Sequence, residues 1–252
     1  MRSTLCCWFL ALLAFCVGSA AEAAEIRVLA SPALSAAFKA LAPAVERETG
    51  DTLNLQYGLQ AEQQQKIQAG DFDVAIVPAA ILDAAIKQGK VAPDTRTPLA
   101  HVDLGVGARS GAVKPDISSN DAFRRAMVSA SSVAYVVGEA SGKQVTKDFE
   151  SLGIADIMKM KTKAADTVAH VWQAVARGDA EVGFGLTSNI VSAPGVELVG
   201  LFPPELQYSV VMTAGVGTTA QLPDAAKMLI RVLRGPVATS ALQAAGLTPV
   251  AP

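Results

Sequence analysis

Short apolar runs rich in β-branched residues alternate along the chain with segments whose apolar residues recur every three or four positions. Ile26 to Ala30 is one such run and reads as a strand. Ser31-Pro32 follows, pairing an N-cap hydroxyl with proline at the first helical position. Leu34, Phe38, Leu41 and Val45 then repeat at helical spacing until Gly50 supplies a stop, with a kink expected at Pro43. Leu53 to Tyr57 alternates like a strand, and Glu62 to Gln68 is a polar helix. Val74 to Val77 is a buried-type strand, and Ala79 to Gln88 a helix closed by Gly89. Strands and helices alternating over short links predict an α/β fold with a parallel, doubly wound sheet.

The pattern resumes after a turn-rich segment, Ala92 to Pro98. Val102 to Gly107, Ser132 to Val137, Val182 to Leu186, Val196 to Leu201 and Tyr208 to Val216 read as strands. Asp121 to Met127, Gln144 to Leu152 and Thr167 to Arg177 read as helices, the last with Val168, Val171, Trp172 and Val175 as its apolar stripe. Two further helices, Pro223 to Leu233 and Pro236 to Ala245, end the chain around Gly235. No internal repeat and no low-complexity linker interrupts this order, which suits two lobes sharing strands across a hinge.

Composition narrows the class. Of 252 residues, 51% are hydrophobic and only 17% charged, so the chain can bury enough apolar surface to offset ordering entropy. Its 21 basic and 23 acidic residues leave a net charge of −2, which gathers no phosphate backbone, so nucleic acid is not an expected partner. Arg2, the apolar run Leu5 to Val17 and the small residues from Gly18 to Ala24 form a secretory signal peptide, with cleavage expected near Ala24. A lipoprotein would need Cys16 as its anchor, and Phe15 fits poorly before it. Cys6, Cys7 and Cys16 all leave with the signal, so the mature chain is held by its core, without disulfides or thiol chemistry. The expected compartment is a bacterial periplasm.

Candidate chemistry lies in the loops that follow strands and open helices. Ala30-Ser31-Pro32, Gly138-Glu139-Ala140-Ser141-Gly142, Ala165-Asp166-Thr167-Val168 and, less polar, Gly58-Leu59-Gln60-Ala61 each place backbone amides at the positive end of a helix. In an open parallel sheet such loops sit beyond the carboxyl ends of the strands, where ligands bind. Gly138 to Lys143 is not a nucleotide loop, because three residues separate its glycines and Gln144 follows the lysine. His101 and His170 stand far apart, no Gly-x-Ser-x-Gly elbow is present, and no histidine pair has metal-ligand spacing. Asp71 and Asp73 flank Phe72 as a turn-and-cap signature. The expectation is a binding protein without catalytic residues, cofactor or metal.

Several segments then carry a resemblance. Leu29-Ala30-Ser31-Pro32-Ala33-Leu34, Gly70-Asp71-Phe72-Asp73-Val74-Ala75-Ile76, Leu152-Gly153-Ile154, Ala180-Glu181-Val182-Gly183-Phe184, Phe202-Pro203-Pro204-Glu205-Leu206-Gln207 and Leu233-Arg234-Gly235-Pro236 resemble, in order, the periplasmic molybdate-binding proteins. The resemblance runs from Glu25 to the C-terminus. It implies a type II periplasmic-binding fold: residues 25–103 with 210–252 form one lobe, residues 104–209 the other, and a ligand is closed between them. It further implies a monomeric partner of an ABC permease that holds a tetrahedral oxyanion through two hydroxyls, backbone amides and a tyrosine. Carried over by position, the first hydroxyl matches Ser31, and the amide-donating loops match Ser141 and Val168. The second hydroxyl falls at Gln60 and the tyrosine at Leu186, neither of which has a hydroxyl; Gln60, Thr187 or Ser188 would have to replace them. An unpaired buried oxyanion oxygen costs about 1–3 kcal/mol, so these departures leave four readings. They are a molybdate- or tungstate-like oxyanion binder, the same fold binding a small organic anion, a sensory module without a transporter, and an enzyme using Ser31 or Ser141 with His170.

Overall fold

The computed structural model describes residues 25–251, so the signal-peptide reading and all three cysteines lie outside the described residues. The chain begins with β1 (Glu25–Ala30), a 3-10 turn (Pro32–Leu34) and α1 (Ser35–Thr49). Ser31 caps this turn with its side chain accepting from the Ala33 amide, and Pro32 takes the first helical position. Helix α1 continues across Pro43 and stops at Gly50, whose left-handed φ of 78° a side chain would strain. β2 (Thr52–Tyr57), α2 (Gln60–Ala69), β3 (Val74–Pro78) and α3 (Ala79–Lys87) complete the first unit. β1 pairs in parallel with both β2 and β3, as strand-helix-strand punctuation requires.

The 13-residue β4 (Thr97–Arg109) joins the two halves. It pairs with β9 (Ser209–Val216) from Thr97 to Asp103, and from Leu104 to Ala108 with β7 (Val182–Leu186). The turn-rich reading of Ala92 to Pro98 is therefore corrected, since only Pro93–Thr95 form a 3-10 turn and Thr97 and Pro98 already belong to β4. A register shift between Pro98 and Ala100 accommodates the proline, which has no N–H for a ladder.

Beyond β4 come α4 (Asn120–Ser129), β5 (Val133–Tyr135), α5 (Ala140–Ser151), α6 (Ala155–Lys161), β6 (Thr162–Ala164) and α7 (Val168–Arg177). After β7 follow α8 (Thr187–Val191) and β8 (Val196–Leu201), and after β9 come α9 (Pro223–Val232), α10 (Pro236–Ala244) and β10 (Thr248–Pro249). The sheet order is β2-β1-β3-β9-β4-β7-β5-β6, with β8 and β10 also pairing β4. Each half thus has a parallel wing, β2-β1-β3 or β7-β5-β6, and antiparallel pairings through β9 and β4 join them. This is the two-lobed α/β architecture of type II periplasmic binding proteins.

Four buried clusters cover both faces of both halves. Phe38, Leu41, Met212 and Leu229 anchor the first, while Leu29, Phe72 and Leu82 lie in the cluster on the opposite face. In the second half Phe123, Tyr135, Phe149, Phe184 and Phe202 stack with ring centroids 4.8 to 6.3 Å apart. Full burial of side chains this size contributes about 1.5–3 kcal/mol each. Trp172 is seated differently, against glycines: a Cβ on Gly107 or Gly183 would stand 2.7 Å from its ring, and one on Gly185 2.8 Å. The glycines of β4 and β7 clear the face of the sheet on which this indole lies.

Candidate functional site

A cavity of about 120 Å³ opens where the carboxyl ends of the parallel strands meet the amino ends of the helices that follow. β1 and β3 bring Ser31 and Pro78 to it, and β5 and β7 bring Val136 and Leu186. Helices α2, α5, α7 and α8 contribute Gln60 and Gln63, Ser141 and Gly142, Val168 and Trp172, and Asn189. Leu104 of β4 and Tyr208, Val210 and Met212 along the β9 segment line it where the chain passes between halves. A single water needs about 10–15 Å³ of such space, so there is room for several waters, an oxyanion or a small organic acid.

Of the residues singled out in the sequence, Ser31, Gln60, Ser141, Val168 and Leu186 share this cavity. Ser188 is not among the residues that line it. It is buried with its backbone against Gly246, and its Oγ has no hydrogen-bond partner. Thr187 beside it donates its hydroxyl to the Gly246 carbonyl at 2.9 Å. The short α8 sends Asn189 to the cavity and Thr187 toward the α10–β10 link. His101 and His170 are exposed and outside the lining, so no serine–histidine pair is assembled here.

Three lining groups carry chemistry that the sequence reading passed over. Glu139 is the first: its Oε1 accepts the Gln60 amide across the cavity at 3.0 Å. This places a carboxylate of the α5 loop on the amino end of α2. Burial raises the Glu139 pKa above the ordinary glutamate range; the Gln60 amide and the Lys143 charge offset this only in part, and Glu62 adds to it. Tyr208 is the second, a phenol that burial holds further toward its protonated, donating form. Trp172 is the third, with a buried Nε1 that has no partner. Gln63 adds a buried acceptor, since its Nε2 donates to the Gly58 carbonyl at 2.8 Å while its Oε1 has no partner. Glu139 lies within the candidate loop Gly138 to Gly142, but nothing local marks that it reaches another helix. Tyr208 and Trp172 carried only strand and core signals.

Among the described residues, no lysine, arginine or histidine lines the cavity, and no group of His, Cys, Asp or Glu is placed to hold a metal ion. Neutral donors, apolar walls and one carboxylate are therefore the chemistry present. Such a site can hold an anion by hydrogen bonds and helix ends. It can also accept or release one proton, at Glu139.

A sequence model described as bacterial extracellular solute-binding protein matches residues 26–248. An aconitate isomerase of a Pseudomonas species is 31% identical over 234 residues, covering 89% of this chain and 88% of that protein. The molybdate-binding protein ModA of Azotobacter vinelandii is 27% identical over 239 residues, covering 90% and 91%. The solved structure of the Azotobacter vinelandii periplasmic molybdate-binding protein superimposes with a TM-score of 0.72 at 20% identity, over 90% of this chain and 100% of that one. At that identity the superposition speaks for the fold alone.

Proposed function

The chain belongs to the bacterial extracellular solute-binding proteins, and from that membership we propose that it captures a small organic acid, as its anion, in the cavity between its lobes. The lining is the observation that carries this reading. Leu59, Ile81, Val136, Val168, Leu186 and Met212 give the cavity walls that a carbon skeleton would cover, at about 25 cal/mol per Å² of apolar area. A tetrahedral oxyanion has no such skeleton. The resemblance to the molybdate-binding proteins also sets Gln60 and Leu186 at positions where it implies hydroxyls, and neither residue has one. Ser31, Tyr208, Trp172 and the first-turn amides of α5 and α7 are the donors proposed for the carboxylate.

Export to the periplasm and delivery to an ABC permease belong to the same proposal, supported by the extracellular solute-binding family, and action as a monomer is proposed with them. So does a lobe boundary at residues 103/104 and 209/210, supported by the change of β4 partner from β9 to β7 after Asp103.

A thermal-shift series with aconitate, citrate, succinate, molybdate, tungstate and sulfate tests the ligand class. A ligand at 100 times its Kd adds about 2.7 kcal/mol, or roughly 5–11 °C in Tm for a chain of this size. The expected result is a shift of that order with a carboxylate. A shift confined to molybdate and tungstate would replace this reading with the oxyanion one. Ser31→Ala is expected to weaken the bound acid about tenfold or more, as loss of a hydrogen bond to a charged group does, while Tm without ligand moves little. An unchanged Kd in calorimetry would place the ligand elsewhere.

A second reading, turnover of the bound acid, is favoured by one observation: Glu139 is a partly buried carboxyl held toward protonation inside the cavity. The aconitate isomerase relative names the acid to try. Appearance of a second isomer by proton NMR, when either aconitate isomer is incubated with the protein, would establish turnover. An unchanged spectrum leaves capture alone.

A further inference from the structure

The cavity proposed to receive an anion already holds a carboxyl group. Glu139 Oε1 sits on the Gln60 amide at the amino end of α2, the place where helix charge and unpaired N–H groups favour a negative ligand. Its other oxygen has no partner among the described residues. An incoming carboxylate must approach this charge in a partly desolvated space, where like charges repel far more than in water. Among the described residues no cation lines the cavity to neutralise the pair.

We propose that Glu139 couples capture of an anion in this cavity to the uptake of one proton, and so selects against ligands in competition with its own ionised form. This inference rests on the organic-acid reading of the site. With the anion bound, a proton on the Glu139 carboxyl removes the repulsion and turns the group from a competitor for α2 into a possible donor to the ligand. The charges around it do not supply another route. Glu62 on α2 is a like charge, and its Oε2 accepts the Leu59 amide at 3.1 Å. Lys143, one turn along α5, is exposed and offsets the effect of burial only in part. Tyr208 beside β9 is a phenol that burial holds toward its protonated form, and the Tyr135 hydroxyl on β5 lies 3.4 Å from the Thr146 hydroxyl. The upward displacement of the Glu139 pKa by burial agrees with this placement and would increase when a second anion enters.

The test compares the wild-type protein with Glu139→Gln, which keeps an acceptor for the Gln60 amide and removes the charge. Calorimetry with tricarballylate and citrate at pH 6 and pH 8, in two buffers of different ionisation enthalpy, reads both Kd and protons absorbed. Wild type is expected to absorb more protons than the variant, by up to one per ligand, and to lose affinity by up to tenfold per pH unit relative to it. At pH 8 Glu139→Gln is expected to bind at least tenfold more tightly than wild type. Equal affinities at pH 8 with equal proton uptake would overturn the proposal while leaving the organic-acid reading intact. Absence of binding by both proteins, at both pH values and with both acids, would overturn the reading and the proposal together.

Discussion

Asp73→Ala is expected to destabilise the protein by about 3 kcal/mol or more, although the residue lies at the end of the sheet opposite the cavity. Its carboxylate is 1% exposed and accepts four hydrogen bonds: from the Arg27 amide at 3.0 Å, Arg27 Nε at 3.1 Å, Arg27 Nη2 at 3.0 Å and the Gln221 amide at 2.7 Å. This bidentate pair ties the start of β1 to the entry of β3 and to the turn after β9. Breaking a buried pair by removing one partner typically costs 3–5 kcal/mol, because the remaining charge keeps its desolvation. Arg27 retains 20% exposure and a second contact to Asp71 at 2.8 Å, which places the loss at the lower end. At roughly 2–4 °C per kcal/mol, Tm should fall by about 6–12 °C. Asp71→Ala removes a partner that is 61% exposed and should cost under about 1 kcal/mol.

The pH dependence has a definite sign. Burial alone would raise the Asp73 pKa, but the Arg27 side chain, with the Arg27 and Gln221 amides, holds it below the ordinary aspartate range. A group lowered in the folded state contributes fully above its unfolded value, and the contribution is lost as pH falls through the folded value. The wild-type and Asp73→Asn stability curves, measured by urea melts, should therefore converge on the acid side and separate toward neutrality. A constant gap across pH, or a loss for Asp73→Ala no larger than for Asp71→Ala, would contradict this account.

Asp73 also shows where sequence reasoning stops. An aspartate two residues after another and just ahead of an apolar strand has the local look of a turn cap, and only the long-range pairing of β1 with β3 reveals Arg27 as its partner. The same division runs through the fold. Ser31-Pro32, Gly50 and the helical stripe of α7 are short-range features, and the structure has a cap, a stop and a buried Val171, Trp172 and Val175 at those positions. β4 starts at Thr97, five residues before the strand expected from Val102, because Pro98 argues against a strand unless a register shift in the partner is known. β6, α6, α8 and β10 are short, so their own periodicity could not announce them, and they exist through tertiary pairing. In the cavity, the loops following the strands were legible, since strand-to-helix turns have a local signature. Glu139 was not, because its role depends on the distance between two loops far apart in the chain.

The Gly138 to Gly142 loop illustrates both sides, and it carries the second large effect. Gly142→Ala is expected to reduce ligand affinity by about 10- to 100-fold and to cost about 1–3 kcal/mol of stability. A Cβ on Gly142 would stand 2.1 Å from the Val136 carbonyl oxygen, 2.9 Å from its carbon and 3.0 Å from Val137 Cα. These are backbone atoms, so no side-chain rotation relieves the clash; helix α5 or the end of β5 must move, at the usual penalty for overpacking. Val136, Glu139, Ala140, Ser141 and Gly142 all line the cavity, so the displacement falls on the groups proposed to meet the ligand. Loss of one hydrogen bond to a charged group, at about 1.5–3 kcal/mol, sets the affinity range. Gly153→Ala provides the contrast. Gly153 has φ 68° and nothing within 4 Å of its virtual Cβ, so that variant should lose about 1–2 kcal/mol through left-handed strain and leave affinity unchanged. Calorimetry with the acid that gives the largest shift in the ligand screen, paired with urea melts, separates the two. If both glycine variants lose stability and neither loses affinity, the close approach of α5 to β5 has no part in shaping the site.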